Sequence, residues 1–266
     1  MPATTDAPRP VTALPLPQAR RTLLGTGLAH ALHDGYTDMI YVLLPIWQAE
    51  FALGFGALAA LRGLYAGTMA ALQIPAGRVA ERLGGRAVLV AGTLLSALGY
   101  ALAGFSGGLL GLCAALALSG AGSATQHPLA SAAVSHAYGS GARGPLGTYN
   151  FAGDLGKATL PALAAVLVAT MPWRHALWLM ATIGVAAAVA VRALVGAFGR
   201  LGEPVPKAVK GQGRGGFGLL LAIGIFDSGV RMGFLTFLPF ILKAKGADLP
   251  LVGFALTLVL DRKSVV

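Results

Sequence analysis

The sequence predicts an all-α polytopic membrane protein, and three observations carry that prediction. Charged residues are only 11% of the 266 residues and apolar ones 56%, with a mean hydropathy of +0.72, far from the roughly 25% charge of a soluble domain. Apolar runs long enough to cross about 30 Å of hydrocarbon as helix recur along the chain. Lysine and arginine, finally, fall mainly in alternate connections between those runs.

The leading stretch MPATTDAPRPVTALPLPQ is Pro-rich and polar, so residues 1–20 read as a disordered tail. It has no apolar core followed by a small-residue cleavage site, and is therefore not a signal peptide. Apolar segments follow near 23–49, 57–79, 87–105, 108–135, 145–170, 175–198 and 217–242, and an eighth, LPLVGFALTLVL, begins near 249 and is too short to span. Thirty-eight glycines and abundant alanine suit helices that pack closely in lipid, where small residues let backbones approach. Single Cys113 excludes an internal disulfide and a thiolate metal cluster.

Charge sets the orientation. Arg9, Arg20 and Arg21 lie in the tail, Arg78, Arg82 and Arg86 after segment 2, Arg143 after segment 4, and Arg200, Lys207, Lys210 and Arg214 after segment 6. The opposite connections hold Arg174, Lys243 and Lys245. By the positive-inside rule the N-terminus is cytoplasmic. A net charge of +10 spread in this way is not a nucleic-acid patch. Residues 200–216, Gly/Pro-rich and basic, form a cytoplasmic linker between a six-helix half (21–199) and the start of a second half (217–260). Arginine outnumbers lysine 14 to 6, and with the alanine and glycine content this suggests a GC-rich bacterial genome and an inner-membrane location.

Segment 1 reads HDGYTDMIYVLLPI and segment 7 FDSGVRMGFLTFLPF. Asp34 aligns with Asp227 and Met39 with Met232, Asp38 falls opposite Arg231, and Pro45 and Pro239 differ by one place. This is the pairing expected of first helices in two duplicated halves. Within segment 1, His30, Asp34 and Asp38 stand at i, i+4 and i+8, a stripe about 12 Å long. Each isolated charge at mid-bilayer costs about 2.5 to 3.5 kcal/mol on insertion scales, so the stripe must meet partners or a water-filled cavity. Asp154 and Lys157 in segment 5, Asp227 and Arg231 in segment 7, and His127 in segment 4 are the other polar groups at depth.

Two readings stand for these groups. In one, they line a central cavity where protonation and solute binding are coupled, with Asp34 the first candidate for the proton carrier and Asp227 the second. In the other, Asp154 with Lys157 (i, i+3) and Asp227 with Arg231 (i, i+4) neutralise each other locally. His127, next to Pro128, either caps a kink or supplies a proton-responsive donor. His33 points off the stripe and is expected to be a packed or interfacial residue. Arg62, near the outer end of segment 2, is expected to snorkel to the interface.

GRVAERLGGR (77–86) resembles the G-x-x-x-D-R-x-G-R-R signature of the major facilitator superfamily. Gly77, Arg82, Gly84 and Arg86 match, while Glu81 replaces the acid Asp and Gly85 an arginine. The resemblance implies a cytoplasmic gate at Gly77, Glu81, Arg82, Gly84 and Arg86, with glycines for the turn and charges for charge-assisted hydrogen bonds. SGAGSATQHPLAS and ARGPLGTYNFAGDLGKATLPALAA are similar to the fosmidomycin-resistance-type branch at Gly120, Gly122, Ser123, His127, Pro128, Arg143, Gly144, Gly153, Gly156 and Pro161, as are His30 and Asp34. Leu129, Asp154 and Leu160 depart from that branch's pattern.

These resemblances imply a major-facilitator-type helix bundle with a complete six-helix N-terminal half, helix 7 and part of helix 8. They also imply secondary transport of a small-molecule substrate, with protons as the coupling ion and the lipid bilayer as solvent. Proton-coupled export of a small drug-like or anionic compound is the first expectation. Uptake of a small organic anion or nutrient, with Lys157, Arg231 and His127 holding the charge, is the second, and a non-transporting membrane sensor or inactive fragment the third. No enzyme constellation, P-loop, cofactor or metal site is expected, and the sequence leaves oligomeric state open. Because such transporters have twelve helices, the chain is expected to be C-terminally truncated. Its terminal DRKSVV (261–266) reads as an artefactual end, since one back-translation, GATCGGAAGAGCGTCGTG, matches a sequencing-adapter tract.

Overall fold

The computed structural model describes residues 13–198 and 214–261. The tail to residue 12, residues 199–213 of the linker region and residues 262–266, which include most of the predicted artefactual end, lie outside the described residues. The described chain is helical apart from short connections and carries no strand.

Helix α1 spans Leu16–Phe51, α2 Phe55–Leu83, α3 Gly85–Ala103, α4 Leu109–Ser123, α5 Gln126–Tyr138, α6 Arg143–Thr170, α7 Trp173–Leu194, α8 Arg214–Ala244 and α9 Leu249–Asp261. Six stretches, 55–83, 85–103, 109–141, 143–170, 173–194 and 216–244, are long and apolar enough to cross a membrane. The 36-residue α1 is not among them. At 1.5 Å per residue it is about 54 Å long, and its midpoint carries the polar stripe. Most of that midpoint is buried by protein.

Local chemistry explains the boundaries. α1 starts at Leu16, inside the predicted tail, because Pro17 sits in the first turn, where its missing N–H is not needed. Pro45, Pro75, Pro161 and Pro239 lie inside long helices; neighbouring helices make this tolerable in membranes. Segment 4 is different, since it breaks at Ala124–Thr125 into α4 and α5. Pro128 removes one helical donor and its ring opposes the carbonyl of Ala124, four residues back. Between α2 and α3 the turn is a single residue, Gly84, at φ +89°. The predicted gate loop is thus largely helix, with Glu81 and Arg82 exposed and in no ion pair among the described residues.

α1 is central, packing along α6 and also against α5 and α7, while α3 packs against α4 and α7 and α6 against α9. The α1–α6 approach depends on glycine. A Cβ on Gly156 would overlap the backbone of Ala31, and one on Gly153 would lie 2.6 Å from His30 Cε1 and 2.7 Å from Asp34 Oδ2. Beneath the polar layer, Tyr36, Met39, Leu43, Trp47, Leu58 and Leu61 form one fully buried core. At the end of α1, Arg174 Nη1 donates to Glu50 Oε1 at 2.7 Å and stacks over Trp173, tying α1 to the start of α7.

Candidate functional site: a charged central cavity

A cavity of about 590 Å³ lies among α1, α2, α5, α6 and α8, within the size range of small-molecule sites. Its wall holds His30, Asp34, Asp38, His127, Asp154, Lys157 and Arg231, seven of the eight predicted pathway residues. Helical periodicity brings the first three there from α1, and the Gly153–Gly156 face brings α6 close enough to meet them.

Asp34 is the hub. Lys157 Nζ lies 2.9 Å from Asp34 Oδ2 and 3.1 Å from Asp154 Oδ1, so one ammonium bridges α1 to α6 while keeping its own i, i+3 partner. The predicted local pair is present, and it is half of a larger unit. His30 Nδ1 is 2.9 Å from the Tyr149 carbonyl oxygen, its ring stacks on Tyr149 at 4.1 Å, and its Nε2 faces Asp34 Oδ2 at 3.4 Å. A carbonyl can only accept, so Nδ1 carries a proton. Neutral His30 then aims a lone pair at a carboxylate, and a second proton between Nε2 and Oδ2 turns this clash into a hydrogen bond.

His33 is buried as expected, yet it belongs to the site. Its Nε2 lies 3.2 Å from His127 Nε2 and 3.8 Å from Asp34 Oδ1. His127 reaches the cavity because the α4–α5 break leaves it in the first turn of α5. One ligand atom from each of His30, Asp34 and His127 falls within 4.8 Å of the others. The Lys157 ammonium already holds the carboxylate of that trio.

Arg62 corrects the sequence reading. It does not snorkel; it is 5% exposed, lies under the rings of Tyr41 and Tyr65 at 5.0 and 5.7 Å, and lines the cavity. The signal was in the sequence: Arg62, Tyr65 and Met69 stand at i, i+3 and i+7, one face of α2. Thr37, Tyr65, Ser96 and Ser119, which the sequence reading did not single out, join Ser123, which it did. They form a hydroxyl chain with successive contacts of 3.1, 2.9, 3.1 and 3.1 Å across α1 to α4.

Asp227 is exposed and off the cavity wall. The expected Asp227–Arg231 pair is absent among the described residues, and Arg231 makes no ion pair with Asp34 or Asp38 there either, although all three of Arg231, Asp34 and Asp38 face one space.

A family model described as Major Facilitator Superfamily matches residues 26–260. A bacterial homologue of the human lysosomal transporter Spinster, inward-facing and occupied, superposes with a TM-score of 0.77 at 17% identity, covering 93% of this chain and 59% of that one. Its inward-facing unoccupied form gives 0.72 at 15%, over 93% and 60%. The POT family transporter PepTSo gives 0.59 at 18%, over 91% and 51%. At such identities the likeness is one of fold, and this chain spans between 51% and 60% of those proteins' lengths. No curated protein matches it in sequence.

Proposed function

The chain belongs to the Major Facilitator Superfamily, and from that premise we propose that it acts in proton-coupled secondary transport, exporting a small drug-like or anionic compound across a bacterial inner membrane with its N-terminus cytoplasmic. The observation that carries this reading is the Lys157 bridge between Asp34 and Asp154 on the wall of a solute-sized cavity. When Asp34 takes a proton its attraction for Lys157 falls, and the ammonium remains with Asp154 on its own helix. The α1–α6 link is then broken by one proton. Solute entering the cavity changes the same balance from the other side, which is the differential interaction a two-state carrier requires. His30 is the neighbour that hands Asp34 its proton, through the Nε2–Oδ2 contact. Gly77, Glu81, Arg82, Gly84 and Arg86, where α2 meets α3, serve as the cytoplasmic gate.

The test is transport in vesicles of defined orientation, with a pH gradient imposed and a panel of cationic, neutral and anionic compounds. Expected is solute movement against proton flow that collapses when the gradient is dissipated. Movement indifferent to the gradient overturns proton coupling, and movement with the protons assigns uptake instead of export.

A further inference from the structure

We propose that Arg62 is an anion-binding subsite of the cavity, taking the carboxylate group of an amphiphilic organic compound, and that Lys157 is not that subsite. This deepens the transport reading and rests on it for the statement that the cavity binds a solute.

The argument begins with a charge without a partner. Arg62 is 5% exposed, and its Nε and Nη1 have no hydrogen-bond partner. No acid forms an ion pair with it among the described residues. A guanidinium so placed is far from its water-solvated state, and a buried charge is retained where a partner satisfies it. The cations of the wall divide accordingly. Lys157 is held between two carboxylates, whereas Arg62 and Arg231 form no ion pair among the described residues. Asp38, 7% exposed on the same wall, forms no ion pair either among the described residues, and although its charge acts on Arg62 it leaves the guanidinium's Nε and Nη1 without a hydrogen-bond partner.

The surroundings choose the ligand. The rings of Tyr41 and Tyr65 lie 5.0 and 5.7 Å from the guanidinium carbon. Met69, Met232 and Leu235 give the adjoining wall an apolar surface. A planar fork of donors beside apolar side chains fits a carboxylate attached to an apolar body, because guanidinium pairs with carboxylate through parallel hydrogen bonds. Inorganic anions would leave the methionines and leucine uncovered.

Equilibrium binding to the purified full chain, without any gradient, tests this separately from transport. The probes are benzoate and its neutral isostere benzamide. Wild-type protein is expected to prefer benzoate by about tenfold or more, the worth of a charge-assisted hydrogen bond. Arg62→Met, which removes an unpaired buried charge and so eases insertion, is expected to erase that preference while leaving benzamide affinity unchanged. Equal affinities in wild type overturn the proposal without need of any variant. So does a preference that survives in Arg62→Met and vanishes in Arg231→Met, or an equal loss for both probes. Loss of proton-driven movement with intact benzoate preference would instead count against the transport reading alone.

Discussion

Helices α1 and α8 carry the same residue types in register, with Asp34 against Asp227 and Met39 against Met232, yet their acids have opposite fates. Asp34 is 6% exposed and held by Lys157, with His30 and His33 beside it. Asp227 is exposed and without an ion pair among the described residues. The difference is in the neighbours. α1 is wrapped by α5, α6 and α7, whereas α8 meets α1 and α9, and Phe55 of α2 through Phe237 and Phe240. A membrane acid becomes a poised switch only where another helix delivers its cation; register along one helix provides the acid and nothing more.

The contrast can be broken most sharply at its hub. In a full-length version of the transporter, Asp34→Asn should reduce proton-driven transport to background while membrane insertion is unimpaired, since removing a charge lowers the insertion cost; transport rates and membrane yield measured together check this. Wild-type coupling in that variant would remove Asp34 from the carrier role.

Next in size is the fit that creates the hub. Gly156→Val places side-chain atoms where the Ala31 backbone runs, so α1 and α6 must separate, at about 1 to 3 kcal/mol for overpacking. Thermal unfolding in detergent should show a lowered Tm, and Gly224→Val in α8, where a Cβ meets nothing within 4 Å, should show little change. Equal effects at both glycines would mean that α1 gains no special closeness from α6.

A third measurement sharpens the comparison across the cavity. Reversing charge at both Asp38 and Arg231 should restore part of the activity lost in either single reversal, with a coupling of about 0.5 to 3 kcal/mol. Purely additive losses would deny that the two ever pair during transport. Smallest is Asp227→Ala, expected within about 0.5 kcal/mol of wild-type stability because the side chain is exposed and in no ion pair among the described residues; a drop in Tm as large as that of Gly156→Val would show that the acid has a structural partner.

The sequence by itself determined the all-helical membrane class, the apolar segments, and the stripe His30–Asp34–Asp38. These follow from composition, run length and a period of 3.6, which are local properties that lipid enforces without reference to any other helix. It also located His127 beside a proline that breaks segment 4, because proline's missing donor acts within one turn. Only the tertiary structure decided who pairs with whom. Lys157 reaches Asp34 as well as Asp154 because Gly153 and Gly156 let two backbones close, and His33 meets His127 across the α1–α5 contact. Arg62 turned inward where sequence reasoning sent it outward, since a long cationic side chain near a helix end can reach water or a cavity, and the choice depends on what the facing helices leave open. Asp227, identical in type to Asp34, is exposed and without an ion pair among the described residues, where α8 packs on α1 and α9: partner chemistry is a property of packing, and no single helix encodes it.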